Sequence, residues 1–183
     1  PLNWRMKPEE IDFCISNSEA SCIIFQEESM AGVELSLEAK KIKQIFVGRN
    51  NDKVININEL IQNGNTGNHP EGKSDSYSII LYTSGTTGKP KGVPRTHLAE
   101  RSAALAHVAQ NMYKIGEITL GVMPLYHTMG IRSLISMALI NGTFITQPKF
   151  SSKEAIKLIN NFKITSLYLV PTLFHELIED NSF

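Results

Sequence analysis

A run of four apolar residues, Ile79-Ile80-Leu81-Tyr82, passes directly into Thr83-Ser84-Gly85-Thr86-Thr87-Gly88-Lys89-Pro90-Lys91-Gly92. This junction constrains the fold more than any other stretch. Its first part reads as a buried strand. Its second part does not have the composition of a loop that merely joins two elements. Glycine lets the backbone take positive φ and aim several N–H groups at one point. The hydroxyls of Thr83, Ser84, Thr86 and Thr87 add donors, and Lys89 and Lys91 add positive charge. Donors of these three kinds, gathered just after a strand, make a cradle for phosphate. Pro90 and Pro94 keep a helix from starting at once, so the loop itself would hold the anion.

Strands and helices alternate around this junction. Pro8-Glu9-Glu10 opens a helix whose stripe is Ile11, Cys14 and Ile15. A strand over Ser21–Phe25, a helix over Leu35–Lys41 and a strand over Ile42–Val47 follow. Residues 48–76 are rich in Asn, Gly, Asp and Ser and read as a long surface loop, broken by an apolar patch from Val54 to Ile61. Past the glycine loop, Thr96 is placed to cap a helix reaching about Met112, with Leu98, Leu105, Ala109 and Met112 turned inward. A strand over Leu120–Met123 ends at Pro124, and a helix over 131–140 and a strand over Thr143–Thr146 come next. Ser151 to Glu154 has the form of a capping box, opening a helix that buries Ala155, Ile156, Ile159 and Phe162. A strand over Ser166–Val170 leads to a last helix that starts at Pro171 and turns Leu173, Phe174 and Leu177 inward. The strands are continuous apolar runs, as parallel strands covered on both faces require. The expected class is α/β, with mostly parallel β-sheets flanked by helices.

Charge and cysteine usage exclude several functions. Eighteen Lys and Arg balance eighteen Asp and Glu with no basic cluster, which argues against nucleic acid and acidic membranes as partners. No apolar run reaches the length of a membrane span. Cys14 and Cys22 are too few for a disulfide scaffold and lack metal-ligand spacing, so they read as reduced thiols of a cytoplasmic protein. The chain opens on Pro1 without an initiator Met or signal peptide and reads as a piece of something longer. Residues 67–74, Gly-Asn-His-Pro-Glu-Gly-Lys-Ser, fit a Walker A pattern, but a polar linker precedes them and a strand follows. That mechanism needs the opposite order, so the match is accidental.

Residues 82–92 resemble the phosphate-binding signature of the adenylate-forming (AMP-binding) superfamily. That superfamily contains acyl- and aryl-CoA synthetases, firefly luciferase and peptide-synthetase adenylation domains. The family form Tyr-Thr-Ser-Gly-Thr-Thr-Gly-x-Pro-Lys-Gly is reproduced here without a departure. Three further segments resemble family motifs: Pro1-Leu2-Asn3-Trp4-Arg5-Met6, Val122-Met123-Pro124-Leu125-Tyr126-His127 and Leu169-Val170-Pro171-Thr172-Leu173-Phe174. The four stand in family order, so the resemblance covers essentially the whole chain. It is most like acyl- and aryl-CoA ligases of the 4-coumarate, benzoate and fatty-acid type.

The resemblance implies ATP, Mg²⁺ and coenzyme A as cofactors and a small-molecule carboxylic acid as substrate. The acid would be activated to an acyl-adenylate and then transferred to the thiol of coenzyme A. Thr83, Ser84, Gly85, Thr86, Thr87, Gly88, Lys89 and Lys91 would bind the nucleotide, with Thr86 facing the metal. Lys91 and His127 would act at the reacting centre, and Tyr126, His127, Gly130 and Thr172 would line the acid pocket. A lone His at a strand end is usually just a hydrogen-bonded residue. The case for His127 rests on its place after Pro124 at the carboxyl end of a parallel strand and on its match to a family position. Thr172, following a proline at a helix start, also fits a plain cap. His97, His107 and His175 have no such support and read as solvated or packed. Amino-acid-activating members carry an Asp in the motif that here reads Tyr126-His127-Thr128, so an acyl or aryl acid is favoured. The family's later motifs and its C-terminal lid domain would lie beyond Phe183. Residues 1–183 would then be the central portion of the AMP-binding N-terminal domain, inactive alone. The alternatives are an adenylation domain or luciferase-like enzyme, and a truncated, non-catalytic binding module.

Overall fold

Among the described residues, two three-stranded parallel sheets and one paired ribbon carry the elements. The computed structural model describes residues 1–48, 54–64, 71–83 and 90–180. They fall into two units, Pro1–Lys73 with Ile79–Pro94, and Ser74–Ser78 with Arg95–Phe183.

In the first unit, helix α1 (Pro8–Ser18) begins on a proline, and the Lys7 N–H donates to the Glu10 carboxylate at 2.8 Å. It buries Ile11, Cys14 and Ile15, the stripe expected from the spacing. Strands β1 (Cys22–Phe25), β2 (Lys43–Phe46) and β3 (Ile55–Asn56) pair in that order, in parallel, with Ile24 opposite Ile45 and Ile45 opposite Ile55. Ile11, Ile15, Phe25, Val33, Ala39 and Phe46 form the core.

The helix expected over 35–41 is two elements, α2 (Glu27–Leu35) and a 3₁₀ turn (Ala39–Lys41). Ser36 explains the break. Its hydroxyl donates to Asp12 Oδ1 at 2.5 Å and accepts the Ala39 N–H at 2.9 Å, and the Glu38 N–H also reaches Asp12, at 2.9 Å. These bonds stop one helix and start the other. The expected long loop over 48–76 also needs correction. It contains β3 and helix α3 (Ile57–Asn63), joined by Asn56, which is 2% exposed. Asn56 Oδ1 accepts from the Asn58 N–H at 2.9 Å, and its amide donates to the Gly48 carbonyl at 3.1 Å.

Strand β4 (Tyr77–Thr83) pairs with β5 (Lys91–Thr96), a strand that its own Pro94 hides from a sequence reading. Thr96 caps helix α4 (His97–Gln110) as expected, its hydroxyl accepting the Ala99 N–H at 3.2 Å. The inward face of α4, however, is Glu100, Ala104 and His107. Leu98, Leu105, Ala109 and Met112 are exposed. Glu100 tolerates burial because Arg95 forms an ion pair with it.

The second sheet runs β7 (Thr143–Thr146), β6 (Ile118–Gly121), β8 (Ser166–Leu167), all parallel. Helix α5 (Thr128–Leu139) leads from β6 to β7, α6 (Ser152–Phe162) from β7 to β8, and α7 (Pro171–Ile178) follows β8. Leu120, Ala155, Ile156 and Leu177 form this unit's core. The capping box expected at 151–154 does not form. The Ser151 side chain makes no cap bond, and the Ser152 hydroxyl is held by Asp180 at 2.6 Å. Phe162 stays half exposed, contrary to expectation. The α/β class with parallel sheets flanked by helices stands.

Candidate active site

On the nucleotide side, Thr83 is the last residue of β4 and Lys91 the first of β5, and both are exposed. They lie on strands, so the connection proper runs over 84–90. Ser84, Gly85, Thr86, Thr87, Gly88 and Lys89 lie outside the described residues. The strand that feeds the loop is fixed at Tyr82. Its hydroxyl lies 2.9 Å from Asn17 Oδ1 and 3.2 Å from the Cys14 carbonyl, its one proton shared between the two acceptors. Burial, then the neighbouring Cys14, pushes the Tyr82 phenol above its ordinary pKa, so it stays a donor. Gly92 serves close packing. A Cβ there would sit 3.0 Å from the Tyr82 ring and 3.1 Å from both Asn17 Oδ1 and Ile80. This seats β5 against β4 and leaves the Lys91 ammonium outside. Among the described residues, no carboxylate forms a salt bridge with it.

In the second unit the strand order reverses direction at β6. β7 and β8 lie on opposite sides of β6, so the two crossovers run in opposite directions. Right-handed crossovers then place α5 and α6 on opposite faces of the sheet. Leu177 of α7 packs with Ala155 and Ile156 of α6, so α7 shares the α6 face. The neighbours β6 and β8 therefore send the chain to opposite faces at their carboxyl ends, the arrangement that leaves a ligand crevice in open α/β sheets.

Tyr126, His127, Gly130 and Thr172 all follow those two strand ends. The His127 N–H donates to the Pro124 carbonyl at 3.0 Å, and its own carbonyl accepts from Ile131 at 3.3 Å. These bonds start α5 and leave the imidazole exposed, with its ring centroid 4.7 Å from that of half-buried Tyr126. Gly130 is buried, and a Cβ there would fall 2.3 Å from the Pro124 carbonyl oxygen and 2.4 Å from that of Met123. Its bare backbone lets the first turn of α5 press against the Met123-Pro124 bend. Thr172 is the second residue of α7 and exposed. The cap is Val170, whose carbonyl accepts from Leu173 at 3.0 Å and Phe174 at 3.3 Å.

Sequence reasoning missed a polar cluster on the α4–α5 face. His107 is 6% exposed, its Nδ1 is 3.1 Å from the Asn111 amide, and its ring lies 4.5 Å from Tyr168 and 5.4 Å from Tyr113. Burial, then the charge of Arg132, lowers its pKa and keeps the ring neutral. The signal was present in the spacing Glu100, Ala104, His107. Counting only apolar residues conceals it. Among the described residues no group of three or more His, Cys, Asp or Glu side chains forms a candidate metal site.

The family described as AMP-binding enzyme matches residues 1–183. The chain belongs to this family. The chain is 36% identical over 108 residues to 2-succinylbenzoate–CoA ligase, chloroplastic/peroxisomal, of Arabidopsis thaliana, covering 59% of this chain and 19% of the relative. It is 28% identical over 174 residues to 4-chlorobenzoate–CoA ligase of Pseudomonas sp. (strain CBS-3), covering 93% of this chain and 32% of the relative. In fold it is similar to O-succinylbenzoate coenzyme A synthetase of Bacillus subtilis in complex with ATP and magnesium ion. That match has a TM-score of 0.81 at 22% identity and covers 98% of this chain and 35% of the other. The chain thus spans a third or less of the length of these two curated relatives.

Proposed function

We propose that residues 1–183 are the central portion of the N-terminal domain of an AMP-forming acid–CoA ligase. In the parent reaction a carboxylate oxygen attacks the α-phosphorus of ATP, the bond to pyrophosphate breaks, and an acyl-adenylate forms. The thiol of coenzyme A then displaces AMP to give the thioester. The observation that carries this reading is the family match along the whole chain, with residues 82–92 unbroken within it. The CoA-ligase names of the relatives support the acid–thiol chemistry over a luciferase-like or amino-acid-activating one.

Driving a carboxylate against a polyphosphate requires neutralised charge and donors fixed in advance. Lys91, exposed at the start of β5, and Thr83, exposed at the end of β4, would flank a phosphate that residues 84–89 would hold. The hydroxyl of Thr86 is a hard oxygen donor of the kind that suits Mg²⁺. When bound, that ion would neutralise polyphosphate charge. On the acid side, His127 and Tyr126 would orient the carboxylate, Gly130 would hold α5 close enough for them to do so, and Thr172 would face them from the other strand end. We assign the protein to the cytoplasm. Cys14 and Cys22 support this, both being free thiols. No helix among the described residues is long and apolar enough to cross a membrane.

The test is carboxylate-dependent exchange of pyrophosphate into ATP by the full-length parent, followed by AMP release on adding coenzyme A. Exchange with amino acids only, or none with any acid, would sink the proposal. A tagged parent found in an organelle would overturn the cytoplasmic assignment.

A further inference from the structure

We propose that Asn63 is a site of spontaneous covalent modification, closing on the Gly64 nitrogen with loss of ammonia and opening in water to an aspartyl or isoaspartyl residue. Asn141 has the same following residue, and the fold holds it unreactive. The proposal is independent of the ligase reading.

Two Asn-Gly pairs occur in the chain, Asn63-Gly64 and Asn141-Gly142. A following residue without a Cβ lets its backbone nitrogen reach the Asn side chain. The Gly nitrogen gives its proton to hydroxide and attacks Asn Cγ. The N–Cγ bond forms, the Cγ–Nδ2 bond breaks, and ammonia departs with a proton from water. Water then adds to the cyclic imide. Opening at the side-chain carbonyl gives Asp, and opening at the main-chain carbonyl gives isoaspartate. The net change is amide and water to carboxylate and ammonium, with no oxidant or cofactor.

Asn63 is exposed and is the last residue of α3, a seven-residue helix with no buried residue. Helices this short are marginal in water unless packing holds them. The Asn56 side chain accepts from the Asn58 N–H at 2.9 Å and pins the amino end of α3, which leaves the carboxyl end to fray. Gly64 is exposed, and its φ of −68° and ψ of 136° are already off the helix. Its N–H makes no well-formed hydrogen bond among the described residues.

Asn141 is exposed as well, so exposure does not separate the two. Their nitrogens do. Asn141 sits just past α5 at φ 52°, and the Gly142 N–H donates to the Met137 carbonyl at 2.8 Å, the closing bond of a left-handed helix end. The next N–H, of Thr143, donates to the Glu117 carbonyl at 2.8 Å, and a Cβ on Gly142 would lie 2.7 Å from that same oxygen. Met137 and Ser136 of this helix end are buried. Freeing the Gly142 nitrogen therefore means opening packed structure, whereas freeing that of Gly64 means fraying one exposed turn. At Asn63 the isoaspartyl product lengthens the main chain by a carbon and sets a carboxylate at the negative end of the α3 dipole. The last turn of α3 does not re-form on it.

The experiment incubates the full-length parent at mildly alkaline pH and digests it at intervals. The peptides carrying residues 63 and 141 are followed by mass and by chromatographic separation of the aspartyl and isoaspartyl forms. We expect conversion at Asn63 to be about tenfold or more faster than at Asn141 in the folded protein, and the two rates to agree within about twofold in urea. Asn63→Gln should remove the mass gain from its peptide. Asn56→Ala, which frees the other end of α3, should speed conversion at Asn63 and leave Asn141 unchanged. Equal rates in the folded protein, faster conversion at Asn141, or conversion at Asn63 only after unfolding would overturn the proposal. A rise at both sites alike in Asn56→Ala would overturn it too, by placing control in global unfolding.

Discussion

Gly130 sits where a Cβ would meet two carbonyl oxygens of its own chain, at 2.3 and 2.4 Å. Neither is the end of a flexible side chain, so the backbone itself would have to move. Gly130→Ala should therefore destabilise the protein by about 1–3 kcal/mol, read as a lower midpoint in chemical denaturation, before any question of pocket shape arises. Cys14 carries a pH prediction. Its thiol titrates near 11 in the fold against 9.0 unperturbed, so between those values the unfolded chain has lost a proton that the folded chain keeps. Stability from this group is whole below pH 9, falls as pH rises, and is gone above about 11. Denaturation at pH 8 and pH 10 should show a steeper loss for the parent than for Cys14→Ala. Lys91 stands out as the exposed cation at the start of β5, and Lys91→Ala should slow pyrophosphate exchange by about a hundredfold with the fold unchanged by circular dichroism.

At the scale of elements, Asn56 ends β3, caps α3 and bonds back to Gly48 while nearly fully buried. Asn56→Ala removes all of these at once and should lower stability by about 1–3 kcal/mol in urea unfolding. That joint was not legible, because two short elements sit inside a stretch whose Asn, Gly and Asp content reads as linker. Where local chemistry decides, the reading was close. Pro8 and Pro171 set helix starts, Thr96 is a cap, and β7 has the expected bounds of Thr143–Thr146. Where a distant partner decides, it was not. Asp12 and Ser36 together end α2, and Arg95 makes Glu100 an inward residue of α4, neither of which periodicity can register. Pro94 suppressed the strand signal of β5, although it lies within that strand.

For the whole molecule, the family was legible because its motifs stand in order along the chain. The switch point between β6 and β8 was not, because it arises from the pairing order β7-β6-β8, which a sequence does not write down. His127 follows the carboxyl end of β6 and Thr172 that of β8. The inward face of α4 was illegible for a further reason, since two of its buried residues, Glu100 and His107, are polar. Residues 1–183 expressed alone should show no turnover, while retaining the parallel-sheet fold by circular dichroism and a single set of protected amides in each unit. The most direct test of the account is exchange of labelled pyrophosphate into ATP by the full-length parent, with and without a carboxylic acid. The account predicts exchange that requires the acid and falls by about a hundredfold in Lys91→Ala and Thr86→Ala. Exchange at the parental rate in both variants, or none with any acid, would contradict it.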